Sequence, residues 1–169
     1  MTRLTHPWPP VFDRASRVLV LGTFPSPASR AFGFFYGHPG NVFWRVLADV
    51  LGAARPSASV ASRREFLLAR RVAVWDVLRA CEIDGARDAS IRDPEPNAFR
   101  WLLDQTRIRK VFTTGRTATR LFDTLCADEA RMTATYLPST SPANRAAQAR
   151  PEFLEAWRQV AVAMGPDSE

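Results

Sequence analysis

The stretch "SRVLVLGTFPS" (residues 16–26) decides the fold. Its aliphatic and β-branched run over residues 17–21 is closed by Gly22 and Pro25, the mark of a short buried strand that runs into a loop. A strand without a polar face belongs in a parallel sheet covered on both sides. The same pattern returns three times. "RRVAVWDVL" (residues 70–78) reads as a second strand with Asp76 near its C-terminal end, and "IRKVFTTG" (108–115) as a third that stops at Gly115. "MTATYLPSTSPANR" (132–145) begins as a fourth and ends in a Ser/Thr/Pro loop.

Helical periods separate these runs. From Asn41 onward Phe43, Val46, Leu47, Val50 and Leu51 recur at helical spacing, and Gly52 follows as a stop. Shorter helices are expected over residues 65–69, over 98–105 behind the turn "DPEPN", and over 117–125. The last begins near Pro151 with Phe153, Leu154, Trp157, Val160, Ala161 and Met164 on one face. Residues 1–16 and 79–96 carry no period and are expected to be irregular. Strands alternating with helices give a three-layer α/β/α fold with a central four-stranded parallel sheet. The length fits one domain, residues 1–169, with a core that needs no metal or disulfide staple. Ligands of such sheets sit beyond the carboxyl ends of the strands. "GTFPSP", "WD", "TTGRT" and "LPSTSPANR" all gather there.

The net charge of +6 and a pI near 10.5 favour an anionic partner, nucleic acid first. That signal is discounted by the composition: Lys110 is the one lysine among 23 basic residues, and the chain is rich in Ala. Cys81 and Cys126 are too few for a four-cysteine cage and read as free buried thiols. No metal cluster or organic cofactor is called for. No apolar stretch has the length of a signal peptide core or a membrane span, so a cytoplasmic protein is expected.

A second stretch, "FGFFYGHPGNVFW" (residues 32–44), crowds flat rings beside a His-Pro-Gly-Asn turn. With "GTFPSP" and "STSPANR" it resembles the motifs of the uracil-DNA glycosylase superfamily. "GHPGNVFW" and "LPSTSPAN" are most similar to the hypoxanthine-DNA glycosylase branch, and the aromatic stretch is similar to mismatch-specific uracil and thymine glycosylases. The resemblance runs over about residues 17–158. It implies a uracil-DNA glycosylase-like fold and a monomeric, monofunctional enzyme that acts on DNA carrying a deaminated base, uracil or hypoxanthine. One position departs from the pattern. Phe24 stands where the superfamily usually has the Asp or Asn that activates water.

The resemblance points to Asn41 as the group that takes over that task, whereas the residues alone read it as a helix N-cap. It also implies Tyr36 as the platform for a flipped base, beside Phe24 in the base pocket. Asp76 lies at the end of the second strand, where it accepts a ring N–H of the base, activates water, or caps the following turn. Ser139 stands in place of the usual His or Asn that stabilises the departing base, and a neutral hydroxyl gives that base one hydrogen bond. His38 reads as a hydrogen-bonded turn residue beside Pro39, with a general acid, a phosphate contact or a contact to the bound base as the alternatives. Ala143 occupies the place of a bulky wedge. Ser26, Ser141 and Asn144 would meet DNA through hydroxyls, amides and helix starts, with charge from Arg30, Arg116 and Arg145. Lys110 starts the third strand, away from the site, so a Schiff-base step that nicks the strand has only the N-terminal amine to use. His6 reads as inert. A non-catalytic binder of damaged DNA on the same fold is the alternative, motivated by Phe24 and Ser139. A small-molecule α/β module with "TTGRT" as a weak phosphate loop is the third.

Overall fold

The computed structural model describes residues 2–166. In chain order the strands are β1 (Arg3–Thr5), β2 (Val18–Gly22), β3 (Val72–Asp76), β4 (Leu78–Glu82), β5 (Arg92–Pro96), β6 (Lys110–Thr114) and β7 (Ala134–Leu137). The helices are α1 (Pro27–Phe32), α2 (Phe43–Val50), α3 (Val60–Ala69), α4 (Arg100–Asp104), α5 (Arg116–Leu125), α6 (Ala127–Ala130), α7 (Arg145–Gln148) and α8 (Pro151–Met164). Short 3-10 turns cover Asp88–Ser90 and Pro142–Asn144.

The parallel sheet has the order β3-β2-β6-β7. Its inner strands β2 and β6 are buried, β6 but for its first residue, and the edge strand β3 is closed to solvent along its whole length as β2 is. The chain leaves β2 for β3 in one direction and returns past β2 to β6 and then β7 in the other. Right-handed crossovers then put α1 to α3 on one face and α4 to α6 on the opposite one. α8 packs on α2 and β2, which completes the first face, while α5 covers β6 and β7. The change of direction falls between β2 and β6, so a crevice opens at their carboxyl ends.

Two expectations are corrected. Residues 1–16 and 79–96 are not irregular throughout: β1, β4 and β5 form a second, antiparallel sheet in the order β1-β4-β5. Neither segment shows a strand period: β1 has three residues, the mostly buried β4 pairs with β5 through register shifts, and two of the five residues in β5 are proline. Glu95 ties this sheet at its rim, accepting from Arg3 at 2.7 Å and Arg79 at 2.8 Å. The second correction is α1, read as loop. Ser26 caps it by accepting the Ser29 N–H, and Pro27 takes its first turn.

Cys81 and Cys126 are buried and unpaired, and burial pushes their thiols up to about 11 and about 12. No helix among the described residues is long and apolar enough to cross a membrane.

Candidate active site

β2 and β3 end side by side, with Gly22 opposite Asp76 in the ladder. A Cβ on Gly22 would lie 2.6 Å from Asp76 Oδ1 and 3.3 Å from the Tyr36 hydroxyl oxygen. The missing side chain is therefore what lets a carboxylate and a phenol meet over the strand end. Asp76 is 5% exposed. Its main-chain carbonyl accepts from Asn97 Nδ2 at 2.9 Å, which ties the strand end to the start of the next segment.

These groups line an open cavity of about 950 Å³ at the carboxyl ends of β2, β3, β6 and β7. Tyr36 forms one wall. Its ring stacks on Phe43 with centroids 3.9 Å apart and planes 10° from parallel. The backbone there has φ +51°, in the left-handed region that a bulky residue enters at a cost of order 1–3 kcal/mol. The Tyr36 carbonyl accepts from Trp44 Nε1 at 3.2 Å, and Ser29 Oγ accepts the next N–H, of Gly37, at 3.0 Å. Burial raises the Tyr36 hydroxyl above its ordinary pKa, and the nearby Asp76 charge adds to the shift. The phenol stays protonated, a donor.

Asn41 sits at the pocket edge, where the aromatic stretch turns into α2. The N-cap residue is Val42, one position later than expected. Asn41 Oδ1 accepts the Phe43 N–H at 2.9 Å, a local Asx-type turn that orders the helix start. That bond fixes which end of the amide is oxygen, and it leaves Oδ1 a second lone pair and Nδ2 both protons. His38 is exposed, and its Nδ1 accepts the Gly40 N–H at 2.8 Å, so it braces the turn while lining the pocket.

The loop after β7 closes the opposite side. Val42 N–H donates to the Thr140 carbonyl at 3.1 Å, joining the two motif loops. Ser139 Oγ accepts the Ser141 N–H, and the Ser139 carbonyl takes Asn144 Nδ2 and Gln148 Nε2. Ser141 Oγ accepts the Ala143 N–H. Much of this loop's polarity is spent on holding its own shape. Beneath it Trp157 donates Nε1–H to the Pro138 carbonyl at 3.0 Å.

The structure brings Phe24, Ser26, Tyr36, His38, Asn41 and Asp76 into one pocket. Ser139, Ser141, Ala143, Asn144 and Arg116 line it from the other side. Arg116 lies over the Tyr136 ring at 5.2 Å, at the start of α5. Arg30 and Arg145 do not line it. The Arg30 guanidinium turns back to the Pro25 carbonyl at 3.5 Å, and Arg145 stands exposed at the start of α7.

Two residues of the pocket region escaped the sequence reading. His6, read as inert, is buried with Nε2 at 2.7 Å from Asp76 Oδ2. Asp88 lines the pocket from the turn between β4 and β5, and its Oδ2 accepts from Thr23 Oγ1 at 3.2 Å. Burial raises the Asp88 pKa above the ordinary carboxylate range, and the Asp76 charge pushes the same way while the Thr23 bond opposes. No signal along the chain ties either residue to the strand ends. A histidine just past an N-terminal "RLT" and an acid in a charged turn both pass for surface residues. The described residues hold no group of three or more His, Cys, Asp or Glu arranged to bind a metal.

A family model described as the uracil DNA glycosylase superfamily matches residues 9–161. A hypoxanthine DNA glycosylase of Methanosarcina barkeri is 38% identical over 97 residues, 57% of this chain and 61% of that protein. A hypoxanthine DNA glycosylase of Methanosarcina acetivorans is 32% identical over 139 residues, 82% of this chain and 87% of that protein. The solution NMR structure of a Methanosarcina acetivorans protein, described as a candidate uracil DNA glycosylase, superposes with a TM-score of 0.79 at 27% identity. That superposition covers 98% of this chain and 100% of the other.

Proposed function

The chain belongs to the uracil DNA glycosylase superfamily of DNA glycosylases, and from that premise we propose that it hydrolyses the N-glycosidic bond of a deaminated base in DNA. Hypoxanthine is the foremost substrate and uracil the second. The observation that carries the reading is the meeting of Asp76, Tyr36 and Asn41 around one strand-end pocket, with Gly22 empty between the first two.

The sugar carbon cannot be reached inside a duplex, so the nucleotide swings out into the pocket. Tyr36, backed by Phe43, is the surface on which the base rests, and such stacking contributes about 1–3 kcal/mol per base. Asp76 accepts the ring N–H that hypoxanthine and uracil share. Water adds to the sugar carbon as the carbon–nitrogen bond breaks. The bonding pair leaves with the base, and one proton of the water ends on the base or in solvent. Charge builds on the sugar and on the leaving base, so the work is largely electrostatic and orientational. Asn41 orients the water through the free lone pair of Oδ1, and the Ser139 hydroxyl donates to the departing base. Arg116 and the first amides of α5 face the flanking phosphates.

Lys110 stands at the amino end of β6, a strand's length from the pocket, so the chemistry stops at the abasic site. The test is base release from duplexes that differ only in one hypoxanthine, uracil, xanthine or unmodified base, followed by alkali. Strand breaks that appear only after alkali, on hypoxanthine first, are the expected result. Salt-sensitive binding with no release from any of them would instead mark a non-catalytic binder of damaged DNA.

A further inference from the structure

Asp76 is useful as a base reader only if its proton state and direction are set, and the group that sets both comes from the other sheet. β1 pairs with β4 through Leu4 opposite Cys81 and Thr5 opposite Ala80. The next residue is pinned as well, because the His6 N–H donates to the Arg79 carbonyl at 2.7 Å. The His6 ring, its side chain 4% exposed, sits against the rings of Trp8, Phe24 and Phe35 at centroid distances of 5.6, 5.9 and 5.8 Å.

Both ring nitrogens are engaged. Nδ1 accepts the Trp8 N–H at 3.4 Å, and Nε2 lies 2.7 Å from Asp76 Oδ2. With Nδ1 turned to the Trp8 N–H, the arrangement that satisfies both contacts carries a proton on Nε2. Nε2–H therefore donates, Asp76 Oδ2 accepts, and the carboxylate stays an acceptor. Its other oxygen, Oδ1, is the one that faces the space left by Gly22.

We propose that His6 is a positioning residue for base selection: it holds Asp76 as an acceptor-only carboxylate, aimed through Oδ1 at the flipped base, and so separates a deaminated base from its parent. This rests on the base-pocket reading above. Hypoxanthine and uracil present a ring N–H to that oxygen. Adenine and cytosine present a lone pair at the same ring position, which leaves the buried carboxylate unmatched, the situation in which enzymes discriminate most strongly. The device sorts the amino bases adenine and cytosine from their lactam deamination products.

Two measurements test it. A long-range 1H–15N spectrum of the full chain reads the tautomer of His6, with His38→Gln to assign the other histidine. A proton on Nε2 is expected, and the Nδ1–H form, whose Nε2 has no proton to give Asp76, overturns the proposal. The second measurement compares affinity for duplexes carrying non-cleavable 2′-fluoro-deoxyinosine, 2′-fluoro-deoxyadenosine or an abasic analogue. His6→Phe should lower the preference for inosine over adenosine by about tenfold, the scale of one buried hydrogen bond lost, with abasic affinity unchanged. His6→Gln, whose amide N–H reaches the place of Nε2, should recover part of it. Normal release of hypoxanthine with unaltered discrimination in His6→Phe would sink the role of His6 alone. A wild-type protein that releases no deaminated base and prefers none would sink the base-pocket reading and this inference with it.

Discussion

The two sheets contribute to the same pocket by opposite means. In the parallel sheet β2 and β3 are closed to solvent from end to end, and the helices on both faces bury them further. The antiparallel sheet is short and open: β1 is buried only in part at its middle residue, and most of β5 is exposed or half-exposed. The first sheet supplies stability and the strand ends on which Gly22 and Asp76 sit. The second supplies His6, and the turn between its last two strands supplies Asp88. Stability is thus carried by the covered interior of the parallel sheet and chemistry by its strand ends and the segments that reach them, so substitutions should separate the two.

The largest effect is expected in the layer that covers the parallel sheet. Trp157 is fully buried and holds the Pro138 carbonyl. Trp157→Ala should cost about 3–5 kcal/mol of stability in urea titration. A loss below about 1 kcal/mol would mean that the frame is held elsewhere. At the pocket the balance reverses. Asn41→Ala should slow single-turnover excision by about 100-fold, the scale of lost orientation at the reacting atoms. Its stability should fall by no more than the roughly 1 kcal/mol of a helix-start bond. Unchanged excision would remove Asn41 from the chemistry.

Gly22→Ala lies where the two sheets' contributions touch. Its Cβ would stand 2.6 Å from Asp76 Oδ1, while the His6 contact on Oδ2 keeps the carboxylate from swinging away. Hypoxanthine excision should drop about tenfold, as one buried hydrogen bond is misaligned. Full activity would show that the carboxylate has room to move. The smallest effect belongs to Asp88. Its pKa is raised in the folded chain, so ionisation costs stability as pH climbs through that raised value, and the full stability exists only in acid. Asp88→Asn should therefore raise the thermal midpoint slightly at pH 7, with the gain vanishing below the ordinary carboxylate range. A gain that persisted in acid would point to a cause other than charge.

The same division explains what could be read along the chain. β2, β3 and β6 are legible because burial on both faces writes an unbroken apolar run. Asp76 was found because it ends such a run, where α/β sheets place their ligands. β1, β4 and β5 write no such pattern, since β1 finds β4 across more than 70 positions and β4 meets β5 through register shifts. His6 inherits that silence, because its partner is 70 positions away. The Ser-Pro start of α1 carries its capping chemistry in the sequence, within a stretch whose prolines otherwise read as loop. The positive φ of Tyr36 leaves no trace in residue order, because glycine is the usual sign of that backbone and tyrosine is not.

The most direct test of the base-reading pocket compares excision of hypoxanthine with that of 1-methylhypoxanthine, which differs by the ring N–H assigned to Asp76. Hypoxanthine should be released and the methylated base retained, with the difference shrinking in Asp76→Ala. Equal release of both bases by the wild-type chain would contradict the reading of that N–H by Asp76.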